Sequence, residues 1–178
     1  MNNNKKFQVA IMIGSQSDYP IIEETINILD KFSISYKIII TSAHRTPERT
    51  EKFIKLAENS GVKVFIVAAG AAAHLPGVVA ANTNLPVIGI PISATALNGI
   101  DALYSIVQMP GGIPVATMAI GKAGAKNASI FAAQILSIGD SNLKTKIDSY
   151  RVEMKKNIVK QSENLKIKNH NIFIDFEK

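Results

Sequence analysis

The 178-residue sequence predicts an α/β fold: five parallel strands wound on both faces by helices, followed by a C-terminal helical extension. Three features predict it. Short apolar runs alternate with helix-length segments along residues 7–137, the pattern of βα units. Several of those runs are apolar throughout rather than every second residue, as in parallel strands covered on both sides. The connections are short and carry Gly, Pro, Ser, Asn or Asp, the residues that end helices and strands.

Phe7–Ile13 is the first strand and ends in the loop Gly14-Ser-Gln-Ser-Asp18. Asp18 is placed to cap a helix over Tyr19–Phe32, with Pro20 in its first turn and Ile22, Ile26 and Leu29 on one stripe. The second strand is Tyr36–Ile40. After it, Thr46 reads as the N-cap of a helix starting at Pro47, Glu48 complements the positive end of the helix dipole, and Gly61 terminates the helix. Phe53, Leu56 and Ala57 should face inward. Val62–Ala69, the most continuously apolar run, belongs at the centre of the sheet. Asn84–Pro91 is the fourth strand, Ile92–Asn98 its loop, and Gly99–Gln108 a helix that Met109-Pro-Gly-Gly-Ile-Pro114 breaks. Val115–Ile120 is the fifth strand.

The helix over Ala125–Ser137 is apolar around more of its circumference than one sheet contact needs, so it is expected to meet another subunit as well. A further helix after Gly139-Asp140-Ser141 carries Leu143, Ile147, Tyr150, Met154 and Ile158 on one stripe. Residues 160–178 show no period. The expected organisation is therefore a catalytic α/β domain at 1–139 and a helix with tail at 140–178 that packs on a neighbouring subunit.

Composition narrows the function. Apolar residues make up 47% of the chain, enough for a sizeable core, and there is no cysteine, which excludes disulfides and thiolate metal sites. The net charge of +6 is shared evenly between residues 1–139 and 140–178. With 6% aromatics and no Trp, a base-stacking nucleic-acid platform is not expected, and a generally basic proteome or an anionic small substrate explains the charge more simply. Met1–Lys6 leads into the first strand without a signal-peptide apolar region, and no apolar run approaches the ~20 residues that span a bilayer. A soluble, cytoplasmic protein without membrane contact is expected. Gly121-Lys122 resembles the end of a phosphate-binding P-loop, but Ala116 and Ala123 stand where that motif needs Gly and Ser/Thr, so an NTPase reading fails.

Chemistry concentrates in Thr41-Ser-Ala-His-Arg-Thr46, at the carboxyl end of the second strand, where open α/β sheets bind ligands. Arg45 offers a planar fork of donors for phosphate or carboxylate, Ser42 a hydroxyl, and His44 a group that gives and takes protons near neutrality. The first loop adds Ser15, Ser17 and Asp18. The third strand leads into Ala69-Gly-Ala-Ala-Ala-His74, where tiny residues beside a histidine imply a close approach to the backbone, by a ligand or by a packed helix. Taken singly, each has a plainer reading: His44 bonded to backbone in a turn, Asp18 as a cap, His74 as a structural histidine. In a three-layer, doubly wound (flavodoxin-like) sheet these loops share one edge, so Ser15, Asp18, His44, Arg45 and His74 converge.

Gly14-Ser-Gln-Ser-Asp18, Ser42-Ala-His-Arg-Thr-Pro47, Ala73-His-Leu-Pro-Gly77 and Ser105-Ile-Val-Gln-Met-Pro110, in that order, resemble the bacterial N5-carboxyaminoimidazole ribonucleotide mutases of purine biosynthesis (PurE, class I). Gly112-Ile-Pro114 and Ala119-Ile-Gly-Lys-Ala-Gly124 extend the resemblance, which covers residues 7–139. It implies transfer of a carboxylate from the exocyclic nitrogen to C4 of the aminoimidazole ring, through transient CO2 and without cofactor or metal. It also implies that Ser15, Ser17, Asp18, Ser42 and Arg45 bind the ribonucleotide, that His44 is the acid/base, and that Gly70 and Ala71 belong to a loop holding CO2 beside the ring. His74 would orient the carboxylate, and the assembly would be a homo-octamer. Two positions depart from the pattern: Ala71 stands where the family usually has Gly, and Tyr19 where it usually has Trp. A methyl at 71 would strain the loop if that residue needs positive φ. The alternatives are a carboxylase that takes CO2 and aminoimidazole ribonucleotide directly, and a non-catalytic ribonucleotide-binding module on the same fold.

Overall fold

The computed structural model describes residues 6–167, which divide between Leu136 and Ser137 into two compact units. The first is a five-stranded parallel sheet: β1 (Val9–Ile13), β2 (Tyr36–Ile40), β3 (Val64–Gly70), β4 (Val87–Ile92) and β5 (Ala116–Thr117), in the order β2-β1-β3-β4-β5. Its helices are α1 (Tyr19–Phe32), α2 (Pro47–Asn59), α3 (Leu75–Ala81), α4 (Ile100–Val107) and α5 (Lys122–Ser137), the last reaching the boundary. This is the flavodoxin-like, doubly wound order. Its direction reverses between β1 and β3, which leaves a crevice beyond their carboxyl ends.

The apolar runs explain the layers. Every residue of β1 and β4 is buried, and in β3 only Gly70 is not. Ala10, Met12, Phe65 and Val67 share a core with Ile54 and Ala57 of α2, Leu75 and Val79 of α3, and Ala102 and Ile106 of α4. Alternate residues point to opposite faces, so Val9, Ile11, Val64 and Ile66, also fully buried, turn to the other side. There α1 and α5 bury Ile22, Leu29, Ala128 and Ala132 and are tied by Thr25 Oγ1, which donates to Ala125 O at 2.9 Å. Each such aliphatic or aromatic side chain contributes about 1.5–3 kcal/mol by leaving water, which makes β3, the middle strand, the anchor of the sheet.

The structure corrects several local expectations. Strand β5 is two residues long rather than Val115–Ile120. Met118 N–H donates to Gly89 O at 2.9 Å, but the next rung needs the N–H of Pro91, which proline lacks. Pairing then slips, and Gly121 N–H, with φ +72°, donates to Pro91 O at 2.9 Å. On α2 it is Thr50, Ile54 and Ala57 that are buried, while Leu56 is exposed and Phe53 half-buried. Helix α3 fills a stretch in which small residues left no helical stripe to read.

The second unit is α6 (Ser141–Ile167), capped by Asp140 Oδ1, which accepts from Leu143 N–H at 3.0 Å. It continues through residues 160–167, where no periodicity marks it. Of the predicted stripe, Leu143, Ile147 and Tyr150 are buried and Met154 and Ile158 exposed. The expected tail beyond 167 lies outside the described residues. Among those residues no helix is long and apolar enough to cross a membrane.

Candidate active site

Three loops leave the carboxyl ends of β1, β2 and β3 and enclose one cleft of about 380 Å³. The nine residues singled out in the sequence, Ser15, Ser17, Asp18, Ser42, His44, Arg45, Gly70, Ala71 and His74, all line it.

The first loop is held by its own side chains. Ser15 N–H donates to Asp18 Oδ2 at 3.1 Å and Ser17 N–H to Ser15 Oγ at 3.3 Å, a capping box around the short 3₁₀ turn Gln16–Asp18. Asp18 therefore does not cap α1, as its position before Tyr19 led one to expect; its carboxylate turns back to Ser15. It is only 5% exposed, and burial pushes its carboxyl above the usual aspartate value, against the lowering effect of the Ser15, Ser17 and Gly14 hydrogen bonds.

The second loop is an α-turn: Thr46 N–H donates to Ser42 O at 3.0 Å and Arg45 N–H to Ser42 Oγ at 3.2 Å. Thr46, too, makes no side-chain bond to its helix, and its hydroxyl serves the turn. The turn projects His44 and Arg45 outward. Arg45 Nη2 lies 3.5 Å from Gly14 O, so the guanidinium reaches across from the second loop to the first.

In the third loop, Gly70 lies so close to the β4–α4 connection that a Cβ would sit 2.6 Å from Ala94 Cβ. Gly70 thus admits Ala94 to the cleft wall. Nothing local in the sequence marked Ala94; its neighbourhood depends on the distant Gly70. Ala71 takes φ +53°, so the methyl expected to strain this loop does sit in the left-handed region. Ala71→Gly relieves about 1–2 kcal/mol of strain and adds about 0.4–1 kcal/mol of unfolded-chain entropy. The variant should therefore be about 0.5–1 kcal/mol more stable in urea unfolding; an unchanged or lower midpoint would mean that the loop stores no strain.

His74, at the end of this loop, meets His44: His44 Nε2 and His74 Nδ1 are 2.6 Å apart, with the rings edge-to-face at 80° and centroids 4.8 Å apart. At that distance one nitrogen donates and the other accepts, so the pair holds one proton between two rings. The cleft thus combines a proton carrier with a partner, an arginine fork, and hydroxyl and carboxylate groups suited to a polyol. A larger hollow of about 870 Å³ lies at the opposite, amino end of β4, beside Asn82–Pro86. Its lining has one titratable side chain, Glu58, which accepts from Thr83 Oγ1, and no histidine, lysine or arginine. The smaller cleft is the one lined by two histidines, an arginine and an aspartate.

Comparison with known proteins agrees in sequence and in fold. The sequence family described as AIR carboxylase (AIRC) matches residues 8–157. A Thermotoga maritima protein named N5-carboxyaminoimidazole ribonucleotide mutase is 49% identical over 158 residues, 89% of this chain and 91% of its own. The protein of that name from Bacillus subtilis is 50% identical over 157 residues, 88% of this chain and 97% of its own. A crystal structure of Treponema denticola PurE superposes with a TM-score of 0.80 at 31% identity, covering 89% of this chain and 98% of that one.

Proposed function

The chain belongs to the AIR carboxylase family, and from that premise we infer an isomerase of de novo purine biosynthesis that converts N5-carboxyaminoimidazole ribonucleotide into 4-carboxy-5-aminoimidazole ribonucleotide. The observation that carries the mechanism is the 2.6 Å contact between His44 and His74 in a cleft shared with Arg45, Ser15 and Asp18. Arg45, Ser15, Ser17 and Ser42 hold the phosphate, through charge-assisted and hydroxyl hydrogen bonds. Asp18 accepts from the ribose hydroxyls.

The bond from the exocyclic nitrogen to the carboxylate breaks, CO2 departs, and the electron pair left on nitrogen takes a proton from His44. The ring, now electron-rich at C4, attacks CO2 through that carbon. The C4 proton then returns to His44. One proton is given and one recovered, so a single imidazole serves both steps. His74, hydrogen-bonded to His44, couples the tautomers of the two rings and orients the carboxylate. The small side chains of Gly70 and Ala71 leave room for CO2 beside the ring, where proximity favours recapture over escape.

The same reading includes a cytoplasmic homo-octamer in which residues 140–178 pack on a neighbouring subunit. In its support, Ile100, Tyr104 and Val107 on α4 and Phe131 on α5 are exposed apolar side chains on the first unit, and Met154 and Ile158 are exposed on α6. The family's description also fits a carboxylase that uses CO2 directly; identities near 50% to proteins named as mutases favour the first reading. The test is to supply the carbamate ribonucleotide and aminoimidazole ribonucleotide separately at low bicarbonate. Rapid conversion of the first and none of the second is expected. The reverse would assign the carboxylase, and binding without turnover a non-catalytic module.

A further inference from the structure

The turn that carries His44 and Arg45 is braced from behind by three threonine hydroxyls. Thr50 on α2 and Thr41 at the end of β2 are 0% and 3% exposed, and their Oγ1 atoms lie 2.8 Å apart. Thr41 Oγ1 lies 3.1 Å from Thr46 Oγ1, which in turn lies 3.2 Å from Ser42 O. Each hydroxyl has one proton to give. Thr50 Oγ1 also lies 3.2 Å from Thr46 O, so the protons run either from Thr50 through Thr41 to Thr46 Oγ1 or from Thr41 through Thr50 to Thr46 O; in both arrangements Thr46 donates to Ser42 O and every proton has an acceptor. Thr46 Oγ1 then still accepts Ser42 N–H, at 2.9 Å. Both polar groups of Ser42's backbone thus meet one hydroxyl, and with Thr46 N–H on Ser42 O at 3.0 Å the turn is closed on itself. Hydrogen bonds in such a chain polarise one another, and its buried end excludes competing water.

We propose that Thr46 is a positioning residue for the reaction: its hydroxyl, backed by Thr41 and Thr50, fixes the turn so that His44 meets His74 and Arg45 reaches the first loop. Thr46 touches neither reacting atom. It acts, together with the Ser42 Oγ bond to Arg45 N–H, by holding the backbone of residues 42–46 so that the exposed His44 and Arg45 side chains keep their places. This rests on the assignment of His44 as the acid/base.

The experiment compares Thr46→Val, which keeps the shape and loses the hydroxyl, with Thr46→Ser, which keeps the hydroxyl and loses the methyl, and with His44→Asn. kcat and KM for the carbamate ribonucleotide are measured well below each thermal midpoint. Thr46→Ser should stay within about twofold of the parent in both constants. Thr46→Val should lose about tenfold in kcat, a modest share of the about hundredfold that a misplacement of about 1 Å can cost. Should Thr46→Val not fold, Thr46→Ala takes its place against Thr46→Ser with the same expected order. Equal turnover in the Val and Ser variants, or losses that merely follow their thermal midpoints, would overturn the proposal while leaving the His44 assignment in place. Full turnover in His44→Asn would overturn both.

Discussion

His44→Asn lowers turnover of the carbamate ribonucleotide by at least about a hundredfold, the scale of a lost general acid/base, while nucleotide affinity changes by about twofold or less. Asn keeps a polar side chain, though one that stops short of the Nε2 position that meets His74, and neither gives nor takes a proton near neutrality. Both halves of the reaction then lose their carrier: the departing nitrogen goes unprotonated and the C4 proton has no acceptor. In the proposed reading affinity survives because the phosphate and ribose are held by the loop over Ser15–Asp18 and by Arg45, whose guanidinium reaches Gly14 O of that loop. Steady-state kinetics with a separate equilibrium binding measurement separates the two quantities. Parent-like kcat in the variant would remove His44 from its role.

Arg45→Ala acts on the other quantity. Hydrogen bonds to a charged group are worth about 1.5–3 kcal/mol, so losing the guanidinium should raise KM about ten- to a hundredfold, with a smaller effect on kcat. Its contact with Gly14 O at 3.5 Å is long for a hydrogen bond and uses only part of a five-donor fork, which leaves donors for a phosphate. Lysine carries the charge without the planar fork, so Arg45→Lys should fall between the two. A kcat loss at unchanged KM would instead move Arg45 from phosphate binding to the chemical step.

Why the sequence revealed most of the fold, and where it stopped, follows from the range of the forces. The strands β1, β3 and β4 are buried on both faces, and such strands must be apolar along their whole length, so a short window of sequence suffices to see them. Pro47 marks the start of α2 for an equally local reason. The truncation of β5 is not local: it depends on Pro91, in a different strand, lacking one N–H on the side that faces Ala116–Ile120. Leu56 points outward because Thr50, Ile54 and Ala57 define the buried face of α2, and the threonine is drawn inward by Thr41.

The site was legible as a set of residue types at strand ends, and what the sequence withheld was how those side chains satisfy one another. Asp18 and Thr46 both stand where a helix cap belongs, and both instead bond backward into the loop that precedes them. A helix N-terminus offers a donor, but Ser15 N–H and Ser42 N–H offer one too, and only the folded turn decides between them. The pairing of His44 with His74 joins residues 30 apart and comes from the adjacency of β1 with both β2 and β3, which the topology alone provides. Ala94 was not singled out, although its loop after the fourth strand belongs to the same edge; it is an alanine admitted to the cleft because Gly70 has no side chain.

In the proposed mechanism the carboxylate carbon released from nitrogen is recaptured at C4 before it leaves the cleft. Recapture is followed by running the carbamate assay with carbon-13 in the carbamate carboxylate and unlabelled bicarbonate in the buffer. The label should be retained in the 4-carboxy product; product carrying unlabelled carbon drawn from bicarbonate would rule out recapture within the cleft.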